Sequence, residues 1–217
     1  MKLHEIDIIT LIGGGDVKNA DLRESLAIAP TLVAADGGAD TALAAGVLPK
    51  AVFGDMDSIS AETTSAIPAD RLHFIAEQET TDFEKCLRSI QAPLILGLGF
   101  LGDRLDHQLA ALTALARHAE TRCILIGPCD VTFVCPPQLS LNLPVGSRVS
   151  LFPLGRVNGK SDGLEWPIDG IEFAPDGLIG TSNRASKDVV TLEMDAPKMA
   201  VILPRAALGA AVAALKP

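Results

Sequence analysis

The feature that most constrains this fold is a change of texture near Pro128. Before it, β-rich runs alternate with segments of helical period. After it, short β-rich runs broken by Gly, Pro, Asn and Asp continue to Leu203, and helical period returns only from Arg205 to Lys216. Strands that alternate with helices build a parallel sheet covered on both faces. Many short strands separated by turn residues build an antiparallel sandwich or barrel. The chain therefore reads as α/β: an N-terminal, mostly parallel open α/β sheet domain over 1–130, then a C-terminal antiparallel β-sandwich domain over 131–217.

Within the first part, strands are expected over Ile6 to Ile12, Thr31 to Ala35, Ala51 to Phe53, Arg71 to Ile75, Leu94 to Leu96 and Cys123 to Ile126. Leu22, Leu26 and Ile28 mark a helix, and Ala39 to Ala45 another, stopped by Gly46. Phe83, Leu87 and Ile90 form one helical face, and Leu105, Leu109, Leu112 and Leu115 form a second. In the second part, Val131 to Val134, Val149 to Phe152 and Val189 to Leu192 read as strands.

Composition narrows the function classes. Of 217 residues, 48% are hydrophobic and 21% charged, which supports a packed core and argues against disorder. The formal charge of -9 comes without a basic stripe to neutralise phosphates, so nucleic acid is a poor partner. A cationic small substrate suits that charge better. The longest apolar runs are too short to span a bilayer, and the first residues do not read as a signal peptide. Cys86, Cys123, Cys129 and Cys135 form no Cys-x-x-Cys pair, so they read as reduced thiols of a cytoplasmic protein rather than zinc ligands.

The chemistry-bearing residues fall after the strands, where open parallel sheets collect their ligands. Gly13-Gly14-Gly15 follows the first strand, and Asp36-Gly37-Gly38 the second. These glycines let backbone approach a ligand, yet they spell neither standard nucleotide fingerprint, and Gly13 to Gly15 taken alone read first as a tight turn. Gly54-Asp55-Met56-Asp57-Ser58 follows the third strand. Alternation along an extended chain puts Asp55 and Asp57 on one side, and two such carboxylates repel unless a cation lies between them. Oxygen ligands on a short loop suit Mg²⁺. The competing reading is a loop in which one Asp caps a helix and the other is solvated.

Thr81 to Glu84 has the form of a capping box, with Thr81 as the cap. Asp82 then lies in the first helical turn, where the helix dipole favours a carboxylate without any metal. Arg104 precedes another helix start, with Asp106 and His107 in its first turn. That is a phosphate-binding arrangement, although His107 taken alone reads first as a packing or water-bound residue. Trp166 is the only Trp and has two readings: a core side chain, or a ring that attracts a fixed cation.

The order of these segments resembles the thiamine pyrophosphokinase family. It rests on Ala35-Asp36-Gly37-Gly38-Ala39, Gly54 to Ser58, Thr81-Asp82-Phe83-Glu84-Lys85 and Gly102-Asp103-Arg104-Leu105-Asp106-His107, followed by Gly163-Leu164-Glu165-Trp166 and Thr181-Ser182-Asn183. The resemblance implies an enzyme that moves a diphosphoryl group from ATP to the hydroxyl of thiamine, releasing AMP, with Mg²⁺ as cofactor. It implies Asp55, Asp57 and Asp82 as metal ligands that, with Arg104, carry catalysis. It places Gly14, Asp36, Gly37, Thr81, Arg104 and His107 on ATP, and Gln78, Asp106, Trp166, Ser182 and Asn183 on thiamine. It further implies a homodimer with thiamine at the subunit interface. Where the family has Gly-Gly-Arg this chain has Gly102-Asp103-Arg104, which predicts weaker ATP binding. A related diphosphokinase with another hydroxylated acceptor and a thiamine-binding protein without chemistry are the rival readings.

Overall fold

The computed structural model describes residues 2–102 and 104–216. Asp103, and with it the expectation of weaker ATP binding, lies outside the described residues. The chain divides into two compact units: 1–114 with 125–127, and 115–124 with 128–217.

The first unit contains β1 (Leu3–His4), β2 (Ile9–Ile12), α1 (Asn19–Ile28), β3 (Thr31–Ala35), α2 (Gly38–Ala44), β4 (Ala51–Gly54), α3 (Ala61–Ala66), β5 (Leu72–Phe74), α4 (Asp82–Ser89), β6 (Ile90–Gln91), β7 (Ile95–Leu98) and most of α5 (Leu105–Arg117). The strands run in the order β7-β2-β3-β4-β5, and each neighbouring pair is parallel. β2, β4 and β7 are buried along their whole length, as apolar strands covered on both faces must be. Thr10 is the polar exception in β2. Its hydroxyl donates to the Ala29 carbonyl at 2.8 Å and lies 2.9 Å from the Ser25 hydroxyl, which pins α1 to the sheet.

Two expectations change here. Ile90 was expected on the helical face with Phe83 and Leu87, but α4 ends at Ser89, and Ile90 instead pairs with Leu3 in the two-stranded β1-β6 ladder. The leucine stripe of α5 also fails at its start. Leu105 and Leu109 are 67% and 55% exposed, while Ala111, Ala114 and Leu115 turn inward. The inward face was hidden in the sequence because two of its members are alanines.

The second unit begins in the stretch that holds β8 (Cys123–Ile126), whose end returns to the first unit. It continues with β9 (Asp130–Val134), β10 (Gln138–Asn142), β11 (Arg148–Pro153), β12 (Val157–Asp162), β13 (Glu172–Phe173), β14 (Gly180–Arg184), β15 (Val189–Met194), β16 (Met199–Pro204) and α6 (Leu208–Leu215). One antiparallel sheet has the order β10-β15-β12-β13. A second antiparallel run has the order β14-β11-β16-β9. In β10 the residues alternate strictly between buried and exposed, the signature of a strand with one face on a core. The fold class is thus a mostly parallel α/β sheet followed by an antiparallel β part.

Candidate functional site

In the first unit the polar residues collect at the carboxyl ends of β3 and β4. These strands are paired, with Ala35 opposite Phe53, so the residues that follow them emerge side by side. Asp36 takes φ 41, a left-handed conformation that Asp tolerates better than most side chains. It is accommodated only because residue 54 is Gly. A Cβ on Gly54, which itself has φ 157, would stand 2.8 Å from the Asp36 Cβ. Gly38 allows a second close approach, since a Cβ there would meet the Ile12 carbonyl oxygen at 2.3 Å.

One carboxylate oxygen from each of Asp36, Asp55 and Asp57 lies within 4.8 Å of the others. Asp55 and Asp57 converge for a different reason from the expected pleat. Met56 between them has φ 61, so the chain turns there rather than alternating. The Ser58 backbone N–H donates to Asp36 Oδ2 at 3.3 Å, and the Ser58 hydroxyl donates to Asp57 Oδ1 at 2.9 Å. Asp36 is 2% exposed. Burial first, then the nearby Asp82 and Asp57 carboxylates, push its pKa up to about 6 against the opposing Ser58 hydrogen bond.

Two oxygens in this cluster, Asp36 Oδ1 and Asp55 Oδ1, are buried without a hydrogen-bond partner. Buried carboxylate oxygens are costly unless something positive meets them. Three acids gathered around two orphaned oxygens fit a hard, oxygen-seeking dication such as Mg²⁺.

Asp82 is placed differently from its expected role beside Asp55 and Asp57. Its Oδ1 accepts from Lys85 Nζ at 2.9 Å, and the same ammonium lies 3.3 Å from Asp55 Oδ2. Among the described residues, the three acids whose oxygens approach closely enough to share one ion are Asp36, Asp55 and Asp57. Asp82 contributes charge from the next position out. The two acid partners hold the Lys85 ammonium in its charged form against burial, raising its pKa. Gln78, expected on thiamine, donates from Nε2 to Asp55 Oδ2 at 2.6 Å. These hydrogen bonds and the Lys85 charge outweigh desolvation and lower the pKa of Asp55.

Thr81 caps α4 by accepting from the Glu84 N–H at 3.3 Å. The loop before it is tied by Glu77, which accepts from the Thr80 hydroxyl, from Arg88 and from the Glu79 and Thr80 N–H groups. Gly14 and Gly15 line a cleft of ≈ 510 Å³ together with Asp16, Asn19, Asp40 and Thr41. Gly37 precedes α2 immediately after Asp36. Arg104 and Asp106 form an exposed two-point ion pair: Nε donates to Oδ1 at 3.2 Å and Nη2 to Oδ2 at 2.7 Å. An Arg expected on phosphate and an Asp expected on thiamine thus face each other. His107 is exposed in the first turn of α5.

The second unit carries its own cluster. Trp166 is 51% exposed, and the Arg184 guanidinium carbon stands 5.2 Å from the centre of its ring. Arg184 also pairs with Glu165 at 2.5 Å. Asn183 is buried and grips the backbone of Trp166: its Nδ2 donates to the Trp166 carbonyl at 2.7 Å, and its Oδ1 accepts from the Trp166 N–H at 3.2 Å. Asn183 therefore positions the aromatic ring rather than offering its amide outward. Ser182 is exposed at φ 63, beside the irregular register of β11 between Val149 and Leu151, and its N–H donates to the Ser150 hydroxyl at 3.0 Å.

Nothing in the residue order marks a role for Lys85, Arg184 or Glu165, and Asp36 approaches Asp55 and Asp57 from outside the expected metal set. The residue order marks Asp36 only as an acid that follows a strand; the pairing of β3 with β4, which Asp55 follows, is what brings the two together. Lys85 gave no comparable signal, because an i,i+3 acid–lysine pair on a helix is ordinarily a solvated surface pair.

Comparison with known proteins gives one consistent result. A family model described as thiamin pyrophosphokinase, catalytic domain, matches residues 22–126, and one described as thiamin pyrophosphokinase, vitamin B1 binding domain, matches residues 138–199. Thiamine pyrophosphokinase 2 of Arabidopsis thaliana is 30% identical over 171 residues, covering 68% of this chain and 62% of the relative. Thiamine pyrophosphokinase 1 of Oryza sativa subsp. japonica is 30% identical over 166 residues, with 68% and 63% covered. The matched stretch thus spans less than two thirds of these curated relatives. Among solved structures, a protein from Lactobacillus plantarum superposes with a TM-score of 0.78 at 25% identity, covering 92% of this chain and 99% of that one. Thiamin pyrophosphokinase from Candida albicans superposes with a TM-score of 0.76 at 17% identity, covering 92% and 89%, a likeness of fold.

Proposed function

The chain belongs to the thiamin pyrophosphokinase family, and from that premise we propose that it transfers a diphosphoryl group from ATP to the hydroxyl of thiamine. The hydroxyl oxygen attacks the β-phosphorus, the bond from that phosphorus to the α-phosphate oxygen breaks, and AMP leaves. The hydroxyl proton departs to a base. The observation that carries this reading is the Asp36, Asp55 and Asp57 cluster with its two orphaned buried oxygens. A phosphoryl-type transfer asks little covalent chemistry of the protein, and much positioning and charge compensation.

Asp36, Asp55 and Asp57 would hold Mg²⁺. When bound, that ion offsets the charge growing on the transferred and leaving phosphate oxygens. Asp82 and Lys85 set the charge behind the cluster, and the Gly14–Asp40 cleft offers backbone and room for the nucleotide. Gly37, at the start of α2, and Thr81, at the start of α4, would add backbone and hydroxyl donors for the nucleotide. Arg104 reaches phosphate by exchanging its Asp106 partner, an exchange eased by the exposure of both side chains. His107, in the same helix start, adds a donor for phosphate.

In the second unit Trp166 offers a ring face to the fixed positive charge of thiamine, with Ser182 beside it and Asn183 keeping the ring in place. Thiamine then lies at an interface between two copies of the chain. The 51% exposure of Trp166, a large apolar ring, supports a covering partner there. The first unit is accordingly the ATP and Mg²⁺ domain and the second the thiamine domain. Free cysteines, with Cys86, Cys123 and Cys135 buried, support a cytoplasmic setting, and no described helix is long and apolar enough to cross a membrane.

The test is direct. Purified protein is mixed with thiamine, ATP and Mg²⁺, and AMP and thiamine diphosphate are measured. Both products should appear in equal amounts and only with Mg²⁺. A well-folded sample giving neither rejects the proposal.

A further inference from the structure

We infer that Lys85 is a positioning residue of the carboxylate cluster: it occupies one oxygen of Asp55 so that the other alone faces the metal ion. The inference rests on the Mg²⁺ reading above and adds a residue to it.

The two oxygens of Asp55 have opposite surroundings. Oδ2 accepts from Gln78 Nε2 at 2.6 Å and from Lys85 Nζ at 3.3 Å. Oδ1 is buried and without a partner. The same ammonium binds Asp82 Oδ1 at 2.9 Å. Lys85 is 2% exposed, so its charge has been withdrawn from water and is met by these two acids. Burying an ammonium is expensive, and a surface position on α4 would avoid the cost. The chain nevertheless directs it inward, beside the Asp36–Asp55–Asp57 group.

That position has a chemical consequence. A dication and an ammonium repel, so an oxygen held by Lys85 is a poor further ligand for the ion. Oδ1 is left as the single donor of Asp55. Mg²⁺ demands near-octahedral geometry and retains sites for water and phosphate oxygens, so a carboxylate that spreads both oxygens over the ion spoils that arrangement. Lys85 thus keeps Asp55 one-pronged and leaves coordination positions open for substrate. Residues that orient ligands in this way typically change affinity or activity by about 10–100-fold when removed.

The test compares the parent protein with Lys85→Met in three measurements: Mn²⁺ binding followed by the electron paramagnetic resonance of the free ion, turnover, and thermal unfolding. Lys85→Met should bind Mn²⁺ as tightly as the parent or more tightly, because a competing cation has gone, while kcat falls about 10–100-fold. Loss of Mn²⁺ affinity in step with turnover and melting temperature would mark Lys85 as structural and overturn the inference. Turnover within about twofold of the parent would overturn it as well. Should Lys85→Met not fold, Lys85→Gln, which removes the charge and keeps most of the length, carries the test with the same expected separation of binding from turnover. Failure of the parent itself to bind Mn²⁺ removes the metal reading and this inference together. A parent that binds Mn²⁺, with variants that behave as it does, removes only the role of Lys85.

Discussion

Asp36 illustrates the conflict between stability and function at the level of one side chain. Its carboxyl ionises near 3.8 ordinarily and near 6 in the folded protein, chiefly because burial disfavours the charge. Between those values the folded state holds a proton that the unfolded state has lost. Stability of the metal-free protein therefore falls as pH rises through that window, and the penalty is complete above about pH 6. Asp36→Asn should raise the metal-free stability near neutral pH by on the order of 1–2 kcal/mol in chemical denaturation. It should also abolish the rise in melting temperature on adding Mg²⁺. In the parent that rise should be large near pH 7.5 and small near pH 5, where the proton competes with the metal. Asp57 presents the opposite balance. It is exposed, so Asp57→Asn should change stability by no more than about 0.5 kcal/mol while turnover falls at least about 100-fold. Equal proportional losses would make Asp57 structural. The approach of Asp55 to Asp57 was legible from their spacing, but the route was not, because a left-handed Met56 leaves no mark in the residue order. Asp36 joins them through strand pairing, which is a tertiary fact.

Among the elements, α4 carries the heaviest share of the site. One face packs Phe83, Cys86 and Leu87 into the core, its first turn holds Asp82, and Lys85 points at the acids. Phe83 meets Phe100 at 4.4 Å between ring centres, which ties the helix to the loop after β7. Its start depends on the Thr81 cap. Thr81→Ala should cost about 1 kcal/mol in denaturant unfolding, and Thr81→Ser should restore most of it. An Ala variant as stable as the parent would show that the cap contributes nothing. The existence of α4 was legible from its apolar spacing and from Thr81. Its end was not, because Ile90 suits a helix face and a β ladder equally, and only the distant Leu3 decides between them. The clamp of Asn183 on Trp166 was equally hidden, since an Asn beside a Ser in a polar run reads as a ligand until its partners are seen.

For the whole molecule, the change of texture near Pro128 was enough to read a parallel α/β sheet followed by antiparallel strands, because strand-and-helix alternation and short broken strands obey different packing rules. Assembly was not legible in that way, since exposed apolar residues such as Leu178 are known only once the chain is folded. If thiamine lies against Trp166 between two copies, the fluorescence of this sole Trp should change on adding thiamine. The response should weaken on dilution below the dimer's dissociation range, and a response independent of protein concentration would place thiamine within one chain. The proposed chemistry requires the three acids at the ends of β3 and β4 to share one ion. A crystal soaked in Mn²⁺ and ATP, with the metal located by its anomalous scattering, tests this most directly. The predicted result is an ion within ligand distance, about 2.0–2.2 Å, of oxygens of Asp36, Asp55 and Asp57, with Asp82 still paired to Lys85. An ion bound elsewhere, or one held by Asp82 with Asp36 turned away, would contradict it.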